Sequence, residues 1–189
     1  MDLESLSGST TTFPKKMQHT PREAYATLVG SASYVKGAVA LALSLKAVGT
    51  GGRDIIALIG CTLSSGQRAA LEVAFTGTFD VTPIANPMTN HNLSSKLDFA
   101  STESIAHWQS IFPRSHMANL YTKLHLWSLT QYSKLVYLDA DTLVLKNIDE
   151  LFLRKELTAV PDVLPADTFN SGLMVKPFFF PNSPPTIHV

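Results

Sequence analysis

Apolar positions fall in short blocks separated by Gly, Ser and Asp, and the spacing inside the blocks changes along the chain. Glu23–Val29 carries Tyr25, Thr27 and Val29, strand formers at alternate positions, and predicts a first strand. Gly30-Ser31-Ala32-Ser33 breaks it, with Ser31 or Ser33 available to cap a following helix. Residues 34–48 predict a helix, apolar almost all round and therefore buried on most sides. Gly49, Gly51 and Gly52 end it, because glycine accepts the backbone conformations found past a helix end. Asp54–Ile59 predicts a second apolar strand. Residues 64–75 predict an amphipathic helix with Ala70, Leu71 and Ala74 on one face, and residues 79–84 a third strand. Alternation of strand and helix predicts a largely parallel α/β sheet.

Residues 86–113 are polar and irregular, and a connection of that length in a compact domain is usually functional or flexible. Residues 116–131 then predict an α-helix with Leu120, Leu124, Trp127 and Leu129 on or near its buried face. That helix feeds a strand over 135–138. A short helix over 148–153 and strands over 157–160 and 171–175 follow. Residues 1–20 are polar and rich in Ser and Thr, and read as a flexible tail. Residues 178–189, with three phenylalanines followed by Pro181, Pro184 and Pro185, fit no element and read as an atypical tail.

Composition narrows the class. At 189 residues, 45% hydrophobic and 16% charged, the chain is expected to be globular. Fifteen Lys and Arg balance fifteen Asp and Glu, so no basic excess points to nucleic acid or an anionic membrane. The single cysteine, Cys61, cannot form a disulfide within the chain. With no apolar leader and no run long enough to span a bilayer, the expectation is a cytoplasmic protein. Phosphate loops of the Gly-x-x-x-x-Gly-Lys-Ser/Thr kind, dinucleotide fingerprints and nucleophile elbows are absent from the sequence.

The strongest chemical signal is Lys134-Leu135-Val136-Tyr137-Leu138-Asp139-Ala140-Asp141. An apolar strand ending in Asp-x-Asp puts two carboxylates at a sheet's carboxyl edge, where open α/β sheets bind ligands. Most Asp-x-Asp pairs in isolation are solvated turns or helix caps. The apolar segments on both sides favour a sheet edge here, and two adjacent carboxylates repel unless a cation joins them. Hard divalent cations take such oxygens and in turn hold diphosphates. Asp167-Thr168-Phe169-Asn170-Ser171-Gly172 offers amide and hydroxyl groups beside a glycine, either as a ligand contact or as an ordinary turn. Arg114 and Lys123 are candidate phosphate contacts or solvated charges, and Tyr34 a stacking or a core residue.

Residues 121–134 leading into Leu135-Val136-Tyr137-Leu138-Asp139-Ala140-Asp141-Thr142-Leu143-Val144-Leu145, then Asn147-Ile148-Asp149-Glu150-Leu151-Phe152 and Phe169-Asn170-Ser171-Gly172, together resemble the glycogenin-like members of glycosyltransferase family 8. The resemblance begins at Tyr25-Ala26-Thr27-Leu28 and covers residues 23–177 apart from 86–113. It implies a GT-A fold, a mostly parallel central sheet flanked by helices. It also implies Mn²⁺-dependent (Mg²⁺ as a substitute) transfer of a hexose, typically glucose, from a UDP-sugar to a glucan, protein or other acceptor, with retention of configuration. A non-catalytic partner that keeps nucleotide-sugar binding is the alternative, and a homodimer is suggested. By position, the resemblance makes Asp139 and Asp141 metal ligands. It makes Leu28, Tyr34, Arg114, Lys123, Ala140, Asn170 and Ser171 donor contacts, and identifies no catalytic residue. Gly30 stands where the family has a threonine. The family's later Asp-Gln-Gly and His-x-x-Gly-x-x-Lys-Pro-Trp segments have no counterpart, so the domain over 21–177 is expected to be incomplete at its C-terminal end.

Overall fold

The computed structural model describes residues 22–85, 120–155, 157–162 and 169–177. Arg114, residues 86–113, the first part (116–119) of the helix expected over 116–131, Asp167, Thr168 and both tails lie outside them. β1 (Glu23–Val29) runs at the centre of a six-stranded sheet, with β2 (Asp54–Ile59) and β3 (Gly77–Asp80) on one side. β4 (Lys134–Leu138), then β6 (Phe169–Pro177) and β5 (Thr158–Pro161), lie on the other, giving the order 3-2-1-4-6-5. The first four strands are mutually parallel, in register from Ala24 opposite Asp54 and Glu23 opposite Lys134. β6 runs antiparallel to both β4 and β5. The α/β architecture agrees with the sequence, with an antiparallel extension at one side.

α1 (Val35–Val48) follows a 3-10 turn at Ala32–Tyr34, and α2 (Ser65–Ala74) follows β2. Ser64 and Gln67 close a reciprocal capping box at the start of α2, satisfying two helix N–H groups that would otherwise lack partners. Ser31 and Ser33 behave differently from expectation. Neither caps α1 with its side chain, and their hydroxyls bond each other at 2.6 Å. Gly49 closes α1 at φ 81, as its place after the helix predicts. α1 buries one face, Val35, Ala38, Leu41, Ala42 and Leu45, rather than most of its surface. It lies against one side of the sheet and beside α2, so its outer residue Leu43 is 54% exposed.

Two further expectations shift. β3 spans Gly77–Asp80 rather than 79–84, because its partner β2 ends at Ile59 opposite Asp80 and Pro83 has no N–H to extend the ladder. The segment before β4 is a 3-10 helix, Leu120–Ser128. Thr122, Leu126 and the following Leu129 face inward, while Leu120, Leu124 and Trp127 are exposed. The inward face is set by polar anchors: Thr122 Oγ1 accepts from Ile84 N at 3.0 Å, and His125 Nε2 lies 2.8 Å from Thr82 O. Lys176, 2% exposed on β6, donates to Leu126 O at 3.2 Å and ties this helix to the sheet. Residues 148–153 do form a helical turn, a 3-10 segment over Asp149–Leu153.

Two apolar layers cover the sheet. Tyr25, Val29, Ile55, Ala57, Val136 and Leu138 meet the α-helices on one face, and Ala26, Leu28, Ile56, Leu58 and Tyr137 meet Leu126 and Leu129 on the other. Tyr25 is 1% exposed and donates to Asp149 Oδ1 at 2.6 Å. Burial first, then that hydrogen bond, raises its phenol far above the ordinary 10.0. Below pH 10.0 the proton is bound in folded and unfolded chains alike, and this stabilisation is fully present. As pH rises past that value only the unfolded chain releases the proton. Stability then falls by about 1.4 kcal/mol per pH unit for this group. Urea denaturation on both sides of that pH checks the slope, and Tyr25→Phe should flatten it.

Candidate functional site

The site lies where the sheet's connectivity reverses. From β1 the chain goes first to β2 and β3 on one side, and later crosses to β4 on the other. The carboxyl ends of β1 and β4 therefore border a crevice, the usual ligand position in open α/β sheets. A cleft of about 480 Å³ occupies it. Leu28, Gly30, Ser31, Ser33 and Tyr34 line it from the β1–α1 side. Tyr137, Asp139, Ala140 and Asp141 line it from β4, with Leu120 and Lys123 from the 3-10 helix and Ser171 from β6.

Asp139 begins a tight turn immediately after β4. Its carbonyl accepts from Thr142 N at 3.1 Å and from Thr142 Oγ1 at 2.7 Å. Its own N–H bonds Gly172 O at 2.9 Å, so β6 continues the ladder to the first aspartate. Helix α1 braces the turn from behind. A Cβ on Gly37 would stand 2.5 Å from Ala140 O, so glycine is what lets helix and turn approach this closely. Ser44 Oγ accepts from Val144 N at 3.1 Å, and Asn147 Nδ2 donates to Gly49 O at 2.8 Å, holding the chain after the turn along the same helix.

Charge converges on the first aspartate. Lys123 Nζ sits 2.7 Å from Asp139 Oδ1 and also bonds Ser171 Oγ at 3.0 Å and Ser171 O at 3.3 Å. Tyr137 OH donates to the same Oδ1 at 2.7 Å, and the Lys123 ammonium lies 5.0 Å from the Tyr137 ring centre. Desolvation, then the charge of Asp139, holds the Tyr137 phenol well above the usual tyrosine value, so it stays a donor. Asp141 is exposed at the cleft. Among the described residues, no group hydrogen-bonds Asp139 Oδ2 or the Asp141 carboxylate.

Leu28, Tyr34, Lys123, Asp139, Ala140, Asp141 and Ser171, all candidates from the sequence, thus line one cleft. Asn170 is on the same strand, but its Oδ1 accepts from Gly172 N at 2.7 Å and it does not line the cleft. Tyr137 was missed. Its signal was present, since residues two apart on a strand share a face and Tyr137 stands two before Asp139. No cluster of three His, Cys, Asp or Glu side chains suited to a metal occurs among the described residues. The two carboxylates are nevertheless a fit for part of a divalent ion's oxygen set, because no described residue hydrogen-bonds Asp139 Oδ2 or Asp141, although Lys123 on Oδ1 would have to share Asp139 with the ion.

Residues 27–176 match the family described as Glycosyl transferase family 8. The chain belongs to that family. Among curated relatives it is 40% identical over 153 residues to glycogenin-1 of Oryctolagus cuniculus, covering 81% of this chain and 40% of that protein. It is 36% identical over 155 residues to UDP-glucuronate:xylan alpha-glucuronosyltransferase 1 of Arabidopsis thaliana, covering 82% of this chain and 20% of that protein. The chain therefore spans well under half the length of these relatives. Its fold is shared with the galactosyltransferase LgtC, at a TM-score of 0.51 and 18% identity over 82% of this chain and 56% of that one. The bifunctional glycosyltransferase WbbM gives 0.54 and 14%, over 82% and 31%. The fold is thus that of GT-A glycosyltransferases, a group that generally uses a divalent metal. No helix among the described residues is long and apolar enough to cross a membrane.

Proposed function

We propose that the cleft binds a UDP-sugar, and that the chain carries the donor half of a retaining glycosyltransferase that moves a hexose, glucose first among the candidates, to a glucan, protein or other acceptor. The observation that carries this reading is the convergence of Asp139, Asp141, Lys123 and Ser171 in one cleft that Leu28 and Tyr34 also line. Leu28 and Tyr34 offer an apolar wall and an aromatic ring for a base. Lys123 offers a cation to a diphosphate, where charge grows as a nucleotide departs. Asp139 and Asp141 would hold the divalent ion, Mn²⁺ as the first choice and Mg²⁺ as a substitute, which neutralises the leaving diphosphate. Ser171, whose hydroxyl and carbonyl accept from Lys123, would meet the donor sugar. Asn170 would join it by releasing its bond to Gly172 N. Arg114 is proposed as a further phosphate contact, on the family resemblance alone.

Calorimetry with UDP, in Mn²⁺ and in excess chelator, tests the reading. Binding in Mn²⁺ that weakens at least about tenfold on chelation, about 1.4 kcal/mol, is the expected result. Binding indifferent to the metal would refute it. Turnover with UDP-glucose and UDP-glucuronate, each offered a glucan and a xylan, then identifies donor and acceptor. Tight binding with no turnover on any pair would favour the non-catalytic partner.

A further inference from the structure

Asp139 has two oxygens in unlike surroundings. Oδ1 receives both the Tyr137 hydroxyl and the Lys123 ammonium, each at 2.7 Å. Oδ2 faces Gly172, where a Cβ would come within 3.1 Å of it and within 2.8 Å of Asn170 Oδ1. Glycine at 172 thus keeps a side chain from crowding Oδ2, which no described residue hydrogen-bonds, while Oδ1 carries two donors. A carboxylate held at one oxygen cannot spin about its terminal torsion, so the other oxygen keeps a fixed direction.

We propose that Tyr137 is a positioning residue for the metal–diphosphate site: with Lys123 it holds Oδ1 of Asp139 and leaves Oδ2, on the Gly172 side, as the oxygen that ligates the cation. The inference rests on the metal reading given above. The phenol is suited to the task. Its ring is 1% exposed and packs with Ala26, Leu28 and Leu126, so it is anchored by the core rather than by the ligand. Phenylalanine would fill the same space, so the hydroxyl is separable from the packing. Lys123 shares Oδ1 but is also expected to meet the donor, and its bond to Asp139 is therefore exchangeable. The Tyr137 bond joins two residues of one strand end and stays when Lys123 turns to the diphosphate. Groups that orient a metal ligand from behind typically matter about 10- to 100-fold in metal affinity.

The test measures Mn²⁺ affinity in the presence of UDP, by the loss of the free-ion paramagnetic resonance signal, for the full chain and two variants. Tyr137→Phe removes the hydroxyl at the site. Tyr25→Phe is the control, because it removes a comparable buried bond from a tyrosine to a carboxylate, at 2.6 Å on Asp149, away from the cleft. The expected result is Mn²⁺ affinity about tenfold lower in Tyr137→Phe and unchanged in Tyr25→Phe. Equal losses in both variants would show a general structural effect and overturn the positioning role. Wild-type affinity in Tyr137→Phe would overturn it too, while leaving the metal reading intact. Failure of the unsubstituted chain to bind Mn²⁺ with UDP would overturn both.

Discussion

Asp139→Asn combined with Asp141→Asn should abolish metal-dependent UDP binding, with a loss on the order of 100-fold or more, about 2.8 kcal/mol. Asparagine is the right replacement because it separates charge from shape. Its amide oxygen can still accept from Tyr137 OH and Lys123 Nζ, the two partners that Asp139 Oδ1 has at 2.7 Å. The backbone bonds of the turn, from Thr142 N to Asp139 O and from Asp139 N to Gly172 O, do not involve either side chain. The fold should therefore persist. The variant loses the negative charge that draws a divalent ion, and two neutral amides hold hard cations weakly. A second consequence separates this from a general loss of structure. Without the carboxylate, Lys123 keeps only neutral acceptors on Ser171, so metal-free UDP binding should change far less than binding in Mn²⁺. Calorimetry with and without chelator measures both numbers. A double variant that binds UDP in Mn²⁺ as the parent does would remove these aspartates from the site.

Gly37→Ala should destabilise the chain by about 1–2 kcal/mol and weaken UDP binding as well. The new methyl would meet Ala140 O at 2.5 Å, and that atom is backbone, with no rotamer to give way. Inserting a methyl into a closed contact costs about 1–3 kcal/mol, and this contact is severe enough to sit high in that range. Alanine's better helix propensity offsets up to about 1 kcal/mol of it, less near a helix start. The strain is relieved by moving α1 or the turn from Asp139 to Thr142. Moving the turn displaces both carboxylates relative to Lys123 and Ser171, so the effect should appear in Mn²⁺-dependent affinity as well as in stability. Thermal unfolding should show a fall of about 2–8 °C for a chain of this size. Unchanged stability and affinity together would mean that the close approach at Gly37 is not needed.

Both predictions depend on features of unequal visibility in the sequence. The bounds of β1 and β2 were readable because β1 carries strand formers up to the Gly-Ser break and β2 is a nearly continuous apolar run ended by Gly60, patterns that a buried parallel strand favours. The Asp-x-Asp turn was readable for the same reason, since an apolar strand ends abruptly in charge. The bracing glycine was not readable as such. Gly37 looks like a weak point in a helix until Ala140 is seen against it. The face presented by Leu120–Ser128 was misjudged because two apolar stripes compete within it. Leu120, Leu124 and Trp127 form one and Leu126 leads the other, continued by Leu129, which is buried as expected, and the bond from Ile84 N to Thr122 decides between them. The direction of β6 was likewise hidden, since apolar residues at 171–175 suit either orientation.

By itself, the sequence determined what local pattern can encode. It set the alternation of strands and helices, the glycine stops, the family membership carried by residues 27–176, and the two carboxylates at a strand end. Only the tertiary structure decided which oxygen of Asp139 is occupied and by what. Lys123 reaches it from another element, Ser171 from a strand that returns antiparallel, and Gly37 makes room from a third side. The physical reason is separation along the chain. Hydrophobic period and turn chemistry act over a few residues, whereas the site is made by groups that meet only after the sheet has brought distant segments to one edge.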